Sequence, residues 1–163
     1  MRCRDLIALG ISGTRWGLRP LKRAEMQQVE QALVEVDAAS YANRRLSQLS
    51  GGQQQRVAIA QALGGDELLL LDEPLANLDL RNQYDIVALL GRLQRERGIT
   101  ILVVTHDLNP LLSIVTSAVY LLDGHAHFAA IGDVVDGDLL THLYGTPIKV
   151  VKTAQGDLFT RSA

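Results

Sequence analysis

Hydrophobic residues in the first third of the chain recur at helical spacing. Met26, Val29, Leu33 and Val36 lie three or four positions apart, with polar residues between them. This pattern predicts an amphipathic helix. A second helix is predicted to begin at Ser50-Gly51-Gly52, because small and polar residues there precede a mixed apolar run. We therefore expect the first 63 residues to be largely helical.

Beyond this region, strand-like and helix-like patterns alternate. Residues 68–71 predict a buried strand, 80–97 a helix that ends at Gly98, and 99–105 a second strand. Two strands joined by a helix pair in parallel, so the alternation predicts an α/β core. A helix over 108–113 and a third strand over 118–122 are expected to continue the series.

The last part of the chain predicts small elements. They are a hairpin strand around 128–131, a helix over 137–144, and strands over 148–152 and 157–161 joined by a turn at Gln155-Gly156. The change of pattern at Gly64-Gly65-Asp66 marks a boundary. We thus expect three parts, namely a helical subdomain over 1–63, an α/β core over 64–133, and a helix with a hairpin over 134–163.

Composition narrows the class of protein. The 163 residues are 47% hydrophobic and 21% charged, which is ordinary for a globular domain, and the net charge of -2 argues against nucleic acid as a partner. Cys3 is the only cysteine, which excludes an internal disulfide and favours a reducing compartment. No apolar run approaches the roughly 18 residues of a membrane helix, and we expect no signal peptide.

The segment Leu49-Ser50-Gly51-Gly52-Gln53 has the features of an anion-binding helix start. Two glycines leave backbone N–H groups accessible where the helix dipole favours a negative charge, and Ser50 adds a hydroxyl group. The plainer interpretation is a simple helix cap. Ser50, Gly51 and Gly52 alone do not decide between a helix cap and an anion-binding site.

Asp72 and Glu73 follow the predicted strand over 68–71, and His106 follows the predicted strand over 99–105. Ligands of α/β sheets bind at the carboxyl ends of parallel strands. Asp72 is suited to hold Mg²⁺ and Glu73 to orient a water molecule for attack. His106 is suited to donate a hydrogen bond to a terminal phosphate. The plainer interpretations are an acidic helix start and an ordinary loop histidine.

In this order, the motifs resemble the ATP-binding subunits of ABC transporters over about residues 5–122. Residues 49–53 look like the family signature, 68–73 like the Walker B strand with its catalytic glutamate, 76–79 like the D-loop and His106 like the switch histidine. The resemblance implies a partial P-loop NTPase fold, with an α-helical signature subdomain and the C-terminal half of a RecA-like α/β core. Asp79 of the D-loop is retained, while Asn77 stands where a smaller residue is more frequent.

The family's Walker A loop, G-x-x-x-x-G-K-[ST], has no counterpart in the 163 residues. None of the three lysines, Lys22, Lys149 and Lys152, follows a glycine. We therefore expect an N-terminally truncated subunit that does not hydrolyse ATP by itself, although the family's activity is ATP hydrolysis. Loss of the Walker A strand is also expected to expose apolar strand edges, which predicts poor solubility.

The resemblance implies ATP and Mg²⁺ as cofactors and a head-to-tail pair of ATPase subunits. Ser50, Gly51, Gly52 and Gln53 would then bind the partner's ATP, with Asp72 as the Mg²⁺ ligand and Glu73 and His106 as catalytic residues. A membrane permease would hold the pair at the cytoplasmic face of the membrane. The alternative is a non-catalytic module that lends its signature motif to a complete ATPase partner; a non-functional relic of a gene is a third possibility.

The transported substrate is suggested only by weaker similarity. Four segments are similar to zinc and manganese importer ATPases, namely Trp16-Gly17 and residues 106–110, 120–122 and 143–147. Trp16 is a candidate contact to the permease, or an aromatic residue packed under a loop. His125 and His127 alternate on a predicted strand, but two histidines without a third ligand are more typical of an exposed hairpin than of a metal site.

Overall fold

A computed structural model describes residues 1–13, 21–64, 67–152 and 158–162. Its α-helices are α1 Cys3–Ser12, α2 Arg23–Glu35, α3 Gly51–Ala62, α4 Leu80–Arg97, α5 Ile131–Val134 and α6 Gly137–Tyr144. Its strands are β1 Leu68–Asp72, β2 Thr100–Val104, β3 Ser117–Leu122, β4 His125–Ala130, β5 Ile148–Lys152 and β6 Leu158–Ser162. Three short 3-10 helices occupy Ala39–Tyr41, Leu46–Gln48 and Asn109–Leu111.

The described chain forms two compact units, Met1–Thr105 and His106–Ala163. This boundary differs from those of the three parts expected from the sequence, and the three-part division stays a prediction. Three predicted features lie outside the described residues, namely Trp16-Gly17, the Gly65-Asp66 part of the predicted turn, and the Gln155-Gly156 turn. No helix in the described part of the chain is long and apolar enough to cross a membrane.

The first unit is built on three packed helices. α1 contacts both α2 and α3, and their apolar faces supply fully buried side chains such as Ile7, Leu33, Val57 and Ile59. The helical spacing predicted for Met26 to Val36 is confirmed for its buried members, Val29, Leu33 and Val36, while Met26 is 56% exposed. The apolar stripe with which α2 faces the core is therefore narrower than the sequence pattern predicts.

β1 and β2 of the first unit pair in parallel, as predicted. The long helix α4 connects them, packs against β2, and ends at Gly98 in the left-handed conformation that glycine adopts without strain. Leu69 on one face of β1 is buried, whereas Leu70 and Leu102 on the other face are 62% and 48% exposed. The prediction of a buried strand over 68–71 is therefore wrong for the face that carries Leu70. Parallel strands are normally covered on both faces. This strand pair carries apolar side chains on both faces, but the face with Leu70 and Leu102 is exposed.

Two predictions for the second unit were wrong. The expected helix over 108–113 is a single 3-10 turn at Asn109–Leu111, because the β-branched run Ile114-Val115-Thr116 that follows disfavours helix continuation. The expected third parallel strand, β3, pairs instead with β4 in an antiparallel hairpin.

A two-residue turn explains this hairpin. Asp123 and Gly124 both have positive φ values, of 51° and 79°. Positive φ at both central residues is the requirement of the type I′ turn, whose twist matches that of an antiparallel pair. The second unit is completed by α6 at its predicted position and by an antiparallel hairpin of β5 and β6.

Candidate functional site

The predicted anion-binding segment is the N-terminus of α3, and its first turn is capped by two reciprocal side-chain bonds. Ser50 Oγ accepts a hydrogen bond from the Gln53 backbone N–H at 3.3 Å, and Gln53 Oε1 accepts one from the Ser50 N–H at 3.1 Å. This is a capping box. The first N–H groups of a helix have no acceptor within the helix, so those of Gly51 and Gly52 lie at the positive end of the dipole. Gly51 is exposed, as expected, whereas Gly52 is buried.

The loop before this turn is held by Gln54. Its Nε2 donates to the carbonyl oxygens of Leu46 and Leu49, each at 3.2 Å. The side chain thus fixes the approach of the chain to Ser50. This role of Gln54 was not predicted, because a glutamine within a polar run carries no distinguishing signal.

The second glycine of the turn packs against Asn82 of α4. A Cβ atom placed on Gly52 would lie 2.3 Å from Asn82 Oδ1, closer than atoms can approach without displacement. Asn82 in turn donates two hydrogen bonds to Asp79, from its backbone N–H to Oδ1 and from Nδ2 to Oδ2, each at 2.8 Å. The structure therefore brings the α3 turn and Asp79 together through Asn82.

Gly51, the first glycine of the turn, also faces the residues around the start of α4, but less closely than Gly52 does. A Cβ atom on Gly51 would lie 3.3 Å from Leu78 Cδ2. Leu78 and Asp79 belong to one short connection between β1 and α4, so both glycines of the turn face residues around the start of α4. Leu78 lies in the predicted D-loop, residues 76–79, whereas Asn82 was not singled out from the sequence.

Asp72 and Glu73 lie at the carboxyl edge of the parallel pair. Asp72 is the last residue of β1 and stands opposite Val104, the last residue of β2. Beyond it, the Glu73 N–H donates to the Val104 carbonyl oxygen at 2.9 Å. The two carboxylates therefore follow the strand end as predicted, at the edge where sheets of this kind bind ligands.

The backbone at Glu73 and Asn77 is left-handed. Their φ values are 45° and 60°. For a glutamate this conformation is uncommon and costs about 1–3 kcal/mol, a kind of strain that clusters at functional sites. Asparagine tolerates it better than most residues, which gives a physical reason for Asn77 at a position where the sequence analysis expected a smaller side chain.

His106 lies two residues beyond β2 and begins the second unit. The hydroxyl of Tyr144 in α6 donates to the His106 carbonyl oxygen at 3.1 Å. This contact holds the backbone of the loop at the histidine. Tyr144 was not identified from the sequence as a site residue, because its approach to residue 106 depends on tertiary packing.

Two titratable groups of these segments have shifted pKa values. The hydrogen bonds from the backbone and then the side chain of Asn82 lower the pKa of Asp79, since they stabilise the carboxylate form. Partial burial, followed by the charge of Asp107, raises the pKa of Tyr144. Asp79 is therefore held as an anion, and Tyr144 as a neutral hydrogen-bond donor.

A cluster of charged side chains, Asp37, Arg56 and Arg92, joins α3 to α4 beyond the first turn of each helix. Arg56 of α3 and Arg92 of α4 both donate to Asp37 Oδ2, at 3.0 and 2.8 Å. Arg56 also donates to the Val36 carbonyl oxygen at 3.1 Å. The cluster links the helix that begins at Ser50 to the helix that begins after Asp79, and it supports the contact between their first turns.

Asp72 is compatible with Mg²⁺, because that ion prefers a few carboxylate oxygens, substrate phosphates and water. Among the described residues no group of three or more His, Cys, Asp or Glu side chains could hold a metal ion by itself. Asp72 would therefore bind the ion together with phosphate and water ligands.

The two histidines of the β3–β4 hairpin have contacts within the hairpin. His127 stacks on Tyr120 with ring centroids 5.2 Å apart, and His125 Nδ1 lies 3.0 Å from the Asp123 carbonyl oxygen, which agrees with an exposed hairpin.

Sequence comparison connects this arrangement with known proteins. Residues 6–76 match the family model described as ABC transporter. The iron(3+)-hydroxamate import ATP-binding protein FhuC of Bacillus subtilis is 48% identical over 106 residues, which are 64% of this chain and 39% of FhuC. The zinc uptake system ATP-binding protein ZurA of Listeria monocytogenes is 35% identical over 130 residues, 76% of this chain and 51% of ZurA. Other relatives are named for spermidine/putrescine and phosphonate import.

Solved structures agree with the sequence comparison. An inward-facing conformation of a metal-chelate type ABC transporter matches all of this chain and 66% of its own, with a TM-score of 0.88 and 28% identity. The ATP-binding cassette MJ0796, in a dimeric post-hydrolysis state with ADP and Pi, matches 80% of this chain and 57% of its own, with a TM-score of 0.63 and 31% identity. The expected fold is confirmed, and the chain spans about half or less of the two curated relatives.

Proposed function

We propose that this chain is part of an ABC transporter ATPase and that it acts in an ATP-driven import system by presenting its signature turn, residues 50–53, to a nucleotide. The geometry of residues 50–53 carries the proposal. Ser50 caps α3, so the turn keeps one shape, and the N–H groups at its start, led by that of the exposed Gly51, are proposed to bind a phosphate group. The relatives named for ATP binding and the cassette structure with ADP and Pi support the same ligand class.

Within this proposal the ATP is held by a second ATPase subunit. The 163 residues contain no Gly-Lys pair, so they supply no Walker A lysine to a phosphate. The dimeric cassette among the structural relatives supports a paired arrangement. The two subunits are proposed to act head to tail at the cytoplasmic face of a membrane, joined to a permease, with this chain's signature turn completing the partner's site.

Glu73 and His106 are proposed as the catalytic residues and Asp72 as the Mg²⁺ ligand of a subunit that holds its own ATP. Glu73 orients a water molecule, and His106 hydrogen-bonds the terminal phosphate. This assignment needs a Walker A loop in the same subunit. In-frame coding sequence for such a loop upstream of codon 1 would support it, and a stop codon or unrelated sequence there would favour the alternative, a non-catalytic module.

The experiment that tests the signature role measures ATP-dependent assembly. The tagged chain is incubated with extract of its own cells, with and without a non-hydrolysable ATP analogue, and the bound proteins are identified by mass spectrometry. We expect a Walker A-bearing ABC ATPase to bind only with the analogue. Ser50→Arg should abolish this binding by placing bulk on the turn, while Ser47→Arg, at an exposed position outside the capping box, serves as the matched control. Equal binding by Ser50→Arg would refute the role.

The cargo is proposed to be a metal ion, zinc or manganese. ZurA and the metal-chelate type transporter support this class, whereas polyamine and phosphonate importers are also among the relatives. Deleting the coding region should lower uptake of radioactive zinc or manganese and leave spermidine and phosphonate uptake unchanged. The opposite pattern would reject metal import without affecting the proposed use of ATP.

A further inference from the structure

We propose that the described parts of the C-terminal segment, residues 137–152 and 158–162, position the His106 loop, with Asn109 and Tyr144 as the positioning residues. The inference rests on the proposed function only for the role of His106. The contacts on which it depends lie within the second unit and involve described residues. They attach the loop to the C-terminal segment at two separate points.

The first attachment is Asn109, which binds the edge of β6. Its Nδ2 donates to the Thr160 carbonyl oxygen at 3.1 Å, and its Oδ1 accepts from the Thr160 backbone N–H at 2.7 Å and from the Thr160 hydroxyl at 3.0 Å. The amide side chain thus pairs with both backbone groups of one residue, as a neighbouring strand would. This pairing satisfies groups that an edge strand otherwise leaves open.

The second attachment is Tyr144, the last residue of α6. Its hydroxyl donates to the His106 carbonyl oxygen, as described above. Between the two attachments, Asp107 Oδ1 accepts a hydrogen bond from the Asn109 backbone N–H at 3.0 Å and closes a tight local turn. The four residues from His106 to Asn109 are therefore held at both ends and in the middle.

The C-terminal segment is itself connected, so the two attachments act together. Thr141 Oγ1 of α6 accepts a hydrogen bond from the Ile148 N–H at the start of β5 at 2.9 Å, and β5 pairs with β6 along its length. A displacement of the hairpin would reach Asn109 through Thr160, and a displacement of α6 would reach His106 through Tyr144. The segment is thus placed to set the position of the histidine.

The test measures the His106 side chain directly in the full 163-residue chain. The chain contains four histidines, so ¹³C-histidine labelling gives a simple spectrum in which His106→Gln identifies the His106 signal. We expect Asn109→Ala and Tyr144→Phe each to shift or split that signal. Asn109→Asp, which keeps the acceptor for the Thr160 N–H and hydroxyl, should shift it less. The signal of His127, stacked on Tyr120, should not move.

Hydrogen exchange separates positioning from a purely structural role. Asn109→Ala should speed exchange of the Thr160 amide about tenfold, the factor expected when one hydrogen bond of ordinary net strength is lost. The proposal would be overturned if Asn109→Ala lost Thr160 protection while the His106 signal stayed unchanged in both Asn109→Ala and Tyr144→Phe. Asn43→Ala and Tyr84→Phe, at exposed positions of the first unit, are the matched controls. None of these measurements requires ATP, so failure of the proposed function would be seen separately.

Discussion

Gly52 stands directly against Asn82, so that a single methyl group on the glycine would lie 2.3 Å from Asn82 Oδ1. The Asn82 side chain cannot turn away without losing its Nδ2 hydrogen bond to Asp79 Oδ2. The signature turn and the connection from β1 to α4 are therefore fitted to one another within a single chain. A requirement for glycine at position 52 follows from this packing as well as from access to a ligand.

Replacing Gly52 with alanine should destabilise the chain. Alanine in a helix normally gains about 0.5–1 kcal/mol over glycine, but overpacking against an anchored side chain costs about 1–3 kcal/mol. We expect a net loss of about 1–2 kcal/mol in urea unfolding. Gly51→Ala, which approaches only the end of the Leu78 side chain at 3.3 Å, is the control and should lose less.

The double variant Gly52→Ala with Asn82→Ala tests the cause of that loss. Removing the Asn82 side chain removes the clash, so the added cost of the Gly52 substitution should nearly disappear in this background. Additive losses from the two substitutions would mean that the clash is relieved elsewhere and that the fit between them is not tight.

Asp79 should make stability depend on pH. Its pKa is lowered in the folded chain by hydrogen bonds from Asn82, so the folded state binds the proton less tightly than the unfolded state. The stabilisation is fully present above the ordinary carboxyl pKa of about 4 and is lost as the pH falls through the lowered value. Asp79→Ala should thus unfold at lower urea concentration than wild type at pH 7, and the two midpoints should converge as the pH falls below the lowered pKa of Asp79.

Asp79→Asn provides the control for this pH dependence. The asparagine amide keeps an oxygen acceptor for the Asn82 N–H and does not ionise, so the difference between Asp79→Asn and Asp79→Ala should stay the same at neutral and acidic pH. A gap for Asp79→Ala that stays constant with pH would show that the carboxylate contributes only through its shape and not through its charge.

The exposed apolar face of β1 and β2 should cause the chain to associate with itself. Leu70 and Leu102 are register partners on this face, at 62% and 48% exposure. Leu70→Lys should raise the soluble fraction and lower light scattering without loss of helical signal. Leu69→Lys, on the covered face at 3% exposure, should unfold the chain. A wild-type chain that is already a monodisperse and cooperatively melting monomer would contradict this prediction.

Cys3 should react slowly with thiol reagents in the folded chain. It is fully buried, its Sγ donates to the Arg44 carbonyl oxygen at 3.3 Å, and burial raises the pKa of the thiol. We expect little labelling by a disulfide reagent without denaturant and rapid labelling in urea. Complete reaction of the folded chain within the mixing time would show that α1 opens readily.

Much of the local structure was predictable from the sequence. The limits of α4 and α6 follow from signals that act over a few residues, such as the capping residues Asp79 and Asp136 and the terminating Gly98 and Gly145. The wrong predictions concerned the 3-10 turn at Asn109 and the pairing of β3. The first depended on weighing a β-branched run, and the second on recognising Asp123-Gly124 as a hairpin turn.

By itself, the sequence determined the residue types and order of the candidate site. A serine before two glycines, two carboxylates after an apolar strand and a histidine after the next strand are local patterns whose chemistry is set by the side chains themselves. The helix N-terminus at Ser50 and the strand end at Asp72 follow from the same short-range rules, because capping and strand periodicity act between neighbours in the chain.

Only the tertiary structure decided which distant residues support these motifs. Asn82 against Gly52, and Asn109 against Thr160, join positions that are 30 and 51 residues apart in the chain. Such contacts depend on how packed helices and strands bring side chains together. The type of one residue does not indicate which distant residue it will contact. The chemistry of the site could therefore be predicted from the sequence, whereas the residues that hold it in place could be found only in the fold.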